Sequence, residues 1–208
     1  MKKPSLNRLV ELHKLLLAFQ EIERHVCYVT PLSSGRSEND AEHSYSLAMT
    51  AWFLCEYFPK LDTNKVIRIA LAHDLVEIYS GDTSVFADAE KLASKPSREN
   101  AALGKLVDEW HDFPELAEAM HAYKTRSTEE AKFVYALDKL MPLLLNVISD
   151  GHGWRKHEIT LDRIHSLKKD KMKTHPVINE YYRELYELFV QHPEYFHHEP
   201  ATRTSQQR

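Results

Sequence analysis

The chain has 208 residues, 43% of them apolar and 28% charged, with a net charge of −4 at pH 7. That length suits one domain with a substantial core, and the acidic balance excludes the basic footprint of a general nucleic-acid or anionic-membrane binder. Five glycines against nine prolines, among many strong helix formers, favour an all-α bundle over a sheet with many tight turns.

The N-terminus, Met1-Lys2-Lys3-Pro4 followed by an amphipathic stretch, reads as no signal peptide, and no run approaches the roughly 20 apolar residues of a membrane span. Ser5 is placed to cap a first helix with Leu6, Leu9, Val10, Leu16, Leu17 and Ile22 at helical spacing, ending near Arg24. A connection containing Pro31, Ser33, Ser34 and Gly35 follows. The second helix begins near Asp40, with Leu47, Ala51, Leu54 and Phe58 on one stripe and Pro59 at its end. Asp62 opens a third, which holds His73, Asp74 and Glu77 and stops before Gly81.

Residues 80–96 read as an irregular or weakly helical loop, and Ser97 as the opening of the next helix, with Leu103, Leu106, Val107 and Trp110 inward. Pro114 starts another. Ser127 with Glu130 has the form of a capping box for a long helix carrying Phe133, Val134, Leu137, Leu140, Leu144 and Ile148, kinked at Pro142 and broken by Gly151-His152-Gly153. Two more helices are expected near residues 161–169 and 177–190. The total is seven to nine helices with no convincing strand: one domain over residues 1–198, then a polar, flexible tail, 199–208. Cys27 and Cys55 form no CxxC unit and read as free thiols in a reducing compartment, so the expected location is cytoplasmic. The lysines 168, 169, 171 and 173 read as a solvated helix end.

The chemistry concentrates in a few polar residues set among apolar ones. His73-Asp74 interrupts a run containing Val66, Ile67, Ile69, Leu71, Leu75 and Val76, with Glu77 three residues on and Gly81-Asp82 after that. Burying an unpaired carboxylate costs several kcal/mol, a cost that a divalent cation removes. Glu42-His43 stands at the start of the second helix, and Asp138 lies between Leu137 and Leu140. Two imidazoles and two carboxylates would make a mixed nitrogen and oxygen shell, suited to manganese, cobalt, magnesium, iron or zinc rather than copper.

The order His43 … His73-Asp74 … Asp138 resembles that of the HD-domain metal-dependent phosphohydrolases. The segments Ser37-Glu38-Asn39-Asp40-Ala41-Glu42-His43-Ser44, His73-Asp74-Leu75-Val76-Glu77-Ile78-Tyr79-Ser80-Gly81-Asp82 and Leu137-Asp138-Lys139-Leu140 are similar to those of the 5′-deoxynucleotidase subgroup, over roughly residues 8–190. The resemblance implies an HD-type helical bundle in which His43, His73, Asp74 and Asp138 bind a divalent metal. Glu77 and Asp82 would be the catalytic acidic pair, with Asp82 also reaching the sugar. Arg24 and Arg36 would hold the phosphate, although the Trp that often follows the family's arginine is absent: Arg24 is followed by His25 and Val26. The implied reaction removes the 5′-phosphate from nucleoside, and in particular deoxynucleoside, monophosphates in a homodimer, with no nucleic-acid polymer or membrane as partner. Two alternatives remain at this point: a phosphodiesterase or pyrophosphohydrolase acting on cyclic or polyphosphorylated nucleotides, and a metal-containing binding protein without turnover.

Overall fold

The computed structural model describes residues 3–28 and 36–197, and the backbone alone of residues 25–28. The connection expected around Pro31 to Gly35, the tail 199–208 and the side chain of Cys27 lie outside the described residues. Cys55 is buried and free.

Helix α1 (Leu6–Gln20) starts at Ser5, whose hydroxyl accepts from Arg8 N. It stops four residues short of Arg24, because the chain then turns into β1 (Glu23–Tyr28), which pairs antiparallel with β2 (Ser37–Asn39). This ribbon departs from the expected strandless chain. It passes directly into α2 (Asp40–Cys55), where Asn39 and Glu42 form a reciprocal capping box. Asp62 caps α3 (Thr63–Ala72) by accepting from Asn64 N and Lys65 N.

The third helix ends earlier than its sequence pattern suggests. His73 is its C-cap, residues 73–76 form a turn, and Glu77 begins a separate single turn, α4 (Glu77–Ser80). A second difference lies in 80–96. Asp88 caps α5 (Ala89–Glu109), which runs through Pro96 instead of starting at Ser97. Good helix formers precede that proline, and Ser94 Oγ and Arg98 Nη2 both donate to the Lys91 carbonyl one turn earlier. Burial of Ala102, Leu103 and Leu106 at the far end offsets the local cost of the proline, about 3 kcal/mol.

Then follow α6 (Pro114–Thr125), α7 (Glu129–Ile148), the short α8 (His152–Lys156), α9 (Leu161–Met172), α10 (Pro176–Gln191) and a 3₁₀ turn at Pro193–Tyr195. The cap of α7 is Thr128, one residue after the expected Ser127, with Thr128 Oγ1 accepting from Ala131 N. Glu130 accepts from Asp62 N instead of closing a box. Pro142 stands inside α7 with the helix continuing past it.

Helix α7 is the axle of the bundle, packing against α2, α3, α6, α9 and α10. Its Ala131, Phe133, Val134, Ala136, Leu137, Leu140 and Leu143 are buried with Leu47, Val66, Leu106, Ile164 and Ile178. Asp138 and Asn146 are carried on the same buried helix. At one end Trp154 is stacked on Phe196 and edge-on to Phe189. The N-terminal helix is less submerged than its periodicity suggests: Leu15 and Phe19 are buried, whereas Leu6, Leu9, Val10 and Leu17 stay exposed.

Candidate metal centre and adjoining cavity

The fold brings together four of the sequence-derived residues. His43 comes from the first turn of α2, His73 and Asp74 from the turn after α3, and Asp138 from the middle of α7. All four are buried, and one potential ligand atom from each lies within 4.8 Å of every other. His43 Nε2 is 3.0 Å from Asp138 Oδ1, and His73 Nε2 is 3.0 Å from Asp74 Oδ2 and 3.7 Å from Asp138 Oδ1.

The two imidazoles are oriented from behind. His73 Nδ1 donates to the Ala70 carbonyl at 2.8 Å, which turns Nε2 toward the carboxylates without giving it a hydrogen bond of its own. His43 Nδ1 faces Glu38 Oε2 at 3.5 Å. An oxygen behind Nδ1 with Nε2 turned toward the carboxylates is how metal-binding histidines are commonly held. Two nitrogens and two carboxylates at this spacing, with the Nε2 of His73 unsatisfied, fit a divalent cation.

The electrostatics reflect crowding of carboxylates. Burial alone favours a neutral His73, but the charge of Asp74 and contact with Asp138 raise its pKa to about 9. Burial works against ionised Asp138 too, yet Lys139 and the two histidines hold it well below the usual carboxylate range. Asp138 Oδ2 also accepts from the Tyr123 hydroxyl and from Lys139 Nζ.

A second acidic group, Asp40, Asp74 and Glu77, adjoins the first through Asp74. Burial and the charge of Asp74 lift Asp40 to about 6. Burial, with Asp74, Asp40 and Asp82 around it, pushes Glu77 up to about 11, so its carboxyl is neutral at pH 7. The sequence pattern predicts His73, Asp74 and Glu77 within one continuous helix. The break after Ala72 divides them, placing Glu77 with Asp40 and Asp74 and apart from the His43–His73–Asp74–Asp138 group.

Arg24 Nη1 donates to Asp74 Oδ2 at 2.8 Å and to Asp40 Oδ1 at 3.0 Å, bridging the two groups. Arg36 is exposed, donates to Glu42, and is not among the residues lining the adjacent cavity. That cavity, about 400 Å³, is bordered by His73, Asp74, Glu77, Asp82, Asp138 and Arg24, with Phe86, Tyr123, Tyr135 and Trp154 among its rings.

Several residues of the site were not singled out from sequence. Tyr123 sits on an amphipathic helix, where an aromatic residue looks like core. Glu38 and Asp40 look like the polar lead-in to a helix, yet both are buried. Lys168 and Lys171, read as part of a solvated end, line the cavity, and Lys168 is buried with its Nζ on the Lys139 carbonyl. Helical spacing carried the signal: Ile164, Lys168 and Met172 are four apart, and all three are buried.

The chain is 32% identical over 111 residues to the 5′-deoxynucleotidase HDDC2 of Mus musculus and of Homo sapiens, matching 52% of this chain and 54% and 53% of theirs. The match therefore spans about half the length of these curated relatives. A predicted metal-dependent phosphohydrolase of Magnetospirillum magnetotacticum superposes with a TM-score of 0.75 at 30% identity, over 92% of this chain and 96% of the other. A conserved hypothetical protein of Pyrococcus furiosus gives 0.60 at 26% identity, over 88% and 99%. The profile of the HD domain (HD_3) matches residues 21–179, from β1 into α10. A family match over most of the chain, with buried histidines and aspartates gathered around the central helix of an all-α bundle, makes this chain a member of the HD-domain family.

Proposed function

We propose that the chain is a divalent-metal phosphohydrolase that removes the 5′-phosphate from nucleoside monophosphates, deoxynucleosides included. The observation that carries this reading is the convergence of His43, His73, Asp74 and Asp138 beside a cavity that Glu77 also borders. The activities named for the relatives and for the Magnetospirillum structure support it.

His43, His73, Asp74 and Asp138 would hold the cation; manganese, cobalt and magnesium suit this mixed donor set, and iron and zinc are compatible with it. Such a cation supplies Lewis-acid polarisation of a phosphate oxygen and acidifies water. The chain's own groups do the rest. Water oxygen bonds to phosphorus as the bond from phosphorus to the 5′-oxygen breaks; Glu77, whose carboxyl burial and the neighbouring carboxylates hold protonated, gives the leaving 5′-oxygen its proton, and a proton that the attacking water carries onto the phosphate product returns to Glu77. Asp82, on the cavity wall, accepts from a sugar hydroxyl. Arg24 keeps Asp40 and Asp74 in place and adds positive charge where the phosphate enters.

Phosphate release from a panel of nucleoside monophosphates with Mg²⁺, Mn²⁺ and Co²⁺ tests the reading. Turnover of monophosphates is expected; hydrolysis of a cyclic dinucleotide with none of the monophosphates would replace it with phosphodiester cleavage. Asp74→Ala should lose bound metal and activity together, whereas Glu77→Gln should keep the metal and lose rate by about 10²–10⁴. Full metal content in Asp74→Ala would refute the ligand assignment.

A second copy of the chain is the partner we propose. Leu6 and Leu17 of α1, Trp52 and Phe53 of α2 and Tyr57 just beyond its end expose half or more of their surface, and the two helices pack against each other. Large apolar side chains left exposed on two adjacent helices point to an interaction face. No described helix is long and apolar enough to cross a membrane, and the free thiol of Cys55 suits the cytoplasm.

A further inference from the structure

The cavity holds more positive charge than a single phosphate uses. Lys95, Lys124, Arg126, Lys139, Lys168 and Lys171 all border it. Lys139 is engaged by Asp138, Lys95 by Glu99 at 3.4 Å, and Lys168 by the Lys139 carbonyl at 3.0 Å. By contrast, the side chains of Lys124 and Lys171 make no hydrogen bond or ion pair among the described residues, and the Arg126 guanidinium rests on the Tyr135 ring at 4.8 Å with no carboxylate.

The Tyr135 ring carries both Arg126 and Lys139, whose Nζ is 5.4 Å from its centroid. Lys168, bonded to the Lys139 backbone, precedes Lys171 by three residues on α9, the spacing of neighbours on one helix face. Burial and the fields of Lys139 and Lys95 lower the pKa of Lys171. Lys171 is half-buried, while Lys124 and Arg126 are exposed at the rim. Like charges gathered in a partly desolvated space cost free energy, and a bound anion relieves that cost.

We propose that Lys171, Arg126 and Lys124 form a second anion subsite, which holds a further phosphoryl group of the same nucleotide while the first lies at the metal cluster. This rests on the phosphohydrolase reading of that cluster. The preferred ligand then carries two phosphates, the second on the 3′-oxygen or joined to the 5′-phosphate.

Calorimetric titration of the metal-loaded full chain, with the 5′-oxygen of each ligand replaced by a methylene so that no 5′-phosphate is released, separates these cases. The ligands are a nucleoside 5′-monophosphate, the corresponding 3′,5′-bisphosphate and the 5′-diphosphate. At least one two-phosphate ligand should bind about tenfold or more tightly than the monophosphate, as expected for one or two additional charge-assisted hydrogen bonds. Which of the two binds better places the second group. The advantage should shrink as salt is raised. In Lys171→Met/Arg126→Met, checked for an unchanged melting temperature, it should fall to within about twofold. Equal affinities in the native chain, or an advantage that survives the double substitution, would overturn the subsite. Phosphate-release assays on the metal-loaded chain keep the two ideas apart: turnover of monophosphates without any affinity advantage sinks the subsite alone, and an advantage without turnover of any ligand sinks the phosphohydrolase reading alone.

Discussion

Glu77 shows how one buried group can be held in an unusual state by its neighbours. It has little access to water, faces Asp40, Asp74 and Asp82, and its pKa rises to about 11. In the unfolded chain the same carboxyl titrates near 4.3. The folded state therefore binds a proton that the unfolded state releases, and stability that is full below the unfolded pKa is lost as pH rises toward the folded one. A glutamine has no such proton to keep. In the metal-free protein, Glu77→Gln should be close to neutral in stability at pH 4 and stabilising by about 1–3 kcal/mol at pH 8. Thermal melts across that range check this; a gain independent of pH would show that Glu77 is ionised in the fold. The residue types of the site were legible in sequence, because His73-Asp74 and Asp138 stand out against apolar neighbours. Their grouping was less so. Whether Glu77 shares a centre with His73 depended on where α3 ends, and nothing in Leu75-Val76 marks a break.

At the scale of elements, caps were read well wherever a short polar side chain preceded a clean apolar pattern, as at Ser5 and Asp62. The pattern failed where two candidates stood side by side. Ser127 and Thr128 are both good caps, and only the packing of α7 selects the second. Pro96 misled for another reason: a local cost was outweighed by burial along the rest of α5. The β1–β2 ribbon, six residues paired with three, is too short and polar to leave a strand signature. Gly151 is the clearest element-level constraint. Its φ is +71°, and a Cβ there would meet the Tyr195 carbonyl oxygen at 2.1 Å. Gly151→Ala combines a left-handed backbone with a backbone clash, so a loss of about 2–4 kcal/mol is expected, against a gain of about 0.5–1 kcal/mol for Gly104→Ala, which stands in mid-helix with open space around the added methyl. Urea denaturation of the two variants compares them directly; equal midpoints would contradict the close approach.

For the whole molecule, the all-α class followed from composition and helical periodicity, but the apolar stripe of α1 did not identify what covers it. Periodicity records that a face avoids water and says nothing about whether the cover lies in the same chain. Here Leu6, Leu9, Val10 and Leu17 remain outward beside Trp52 and Phe53. Phe53→Glu should leave the monomer fold intact, because that side chain is 61% exposed. It should shift the mass measured by light scattering from a dimer to a monomer at micromolar concentration. An unchanged monomeric mass in the native chain would remove the second copy from the account.

The stack of Trp154 on Phe196, closed by Phe189, has a bearing on how the protein can be trimmed. Phe189 and Phe196 both follow residue 179, where the HD-domain match ends. A fragment cut at that boundary would strip two aromatic lids from an indole that also borders the cavity, leaving roughly 150–250 Å² of ring per lost aromatic uncovered or uncompensated. Such an excised piece should bind a hydrophobic dye and melt at lower temperature than the complete chain, so the smallest autonomous unit extends beyond the homology border to at least residue 196.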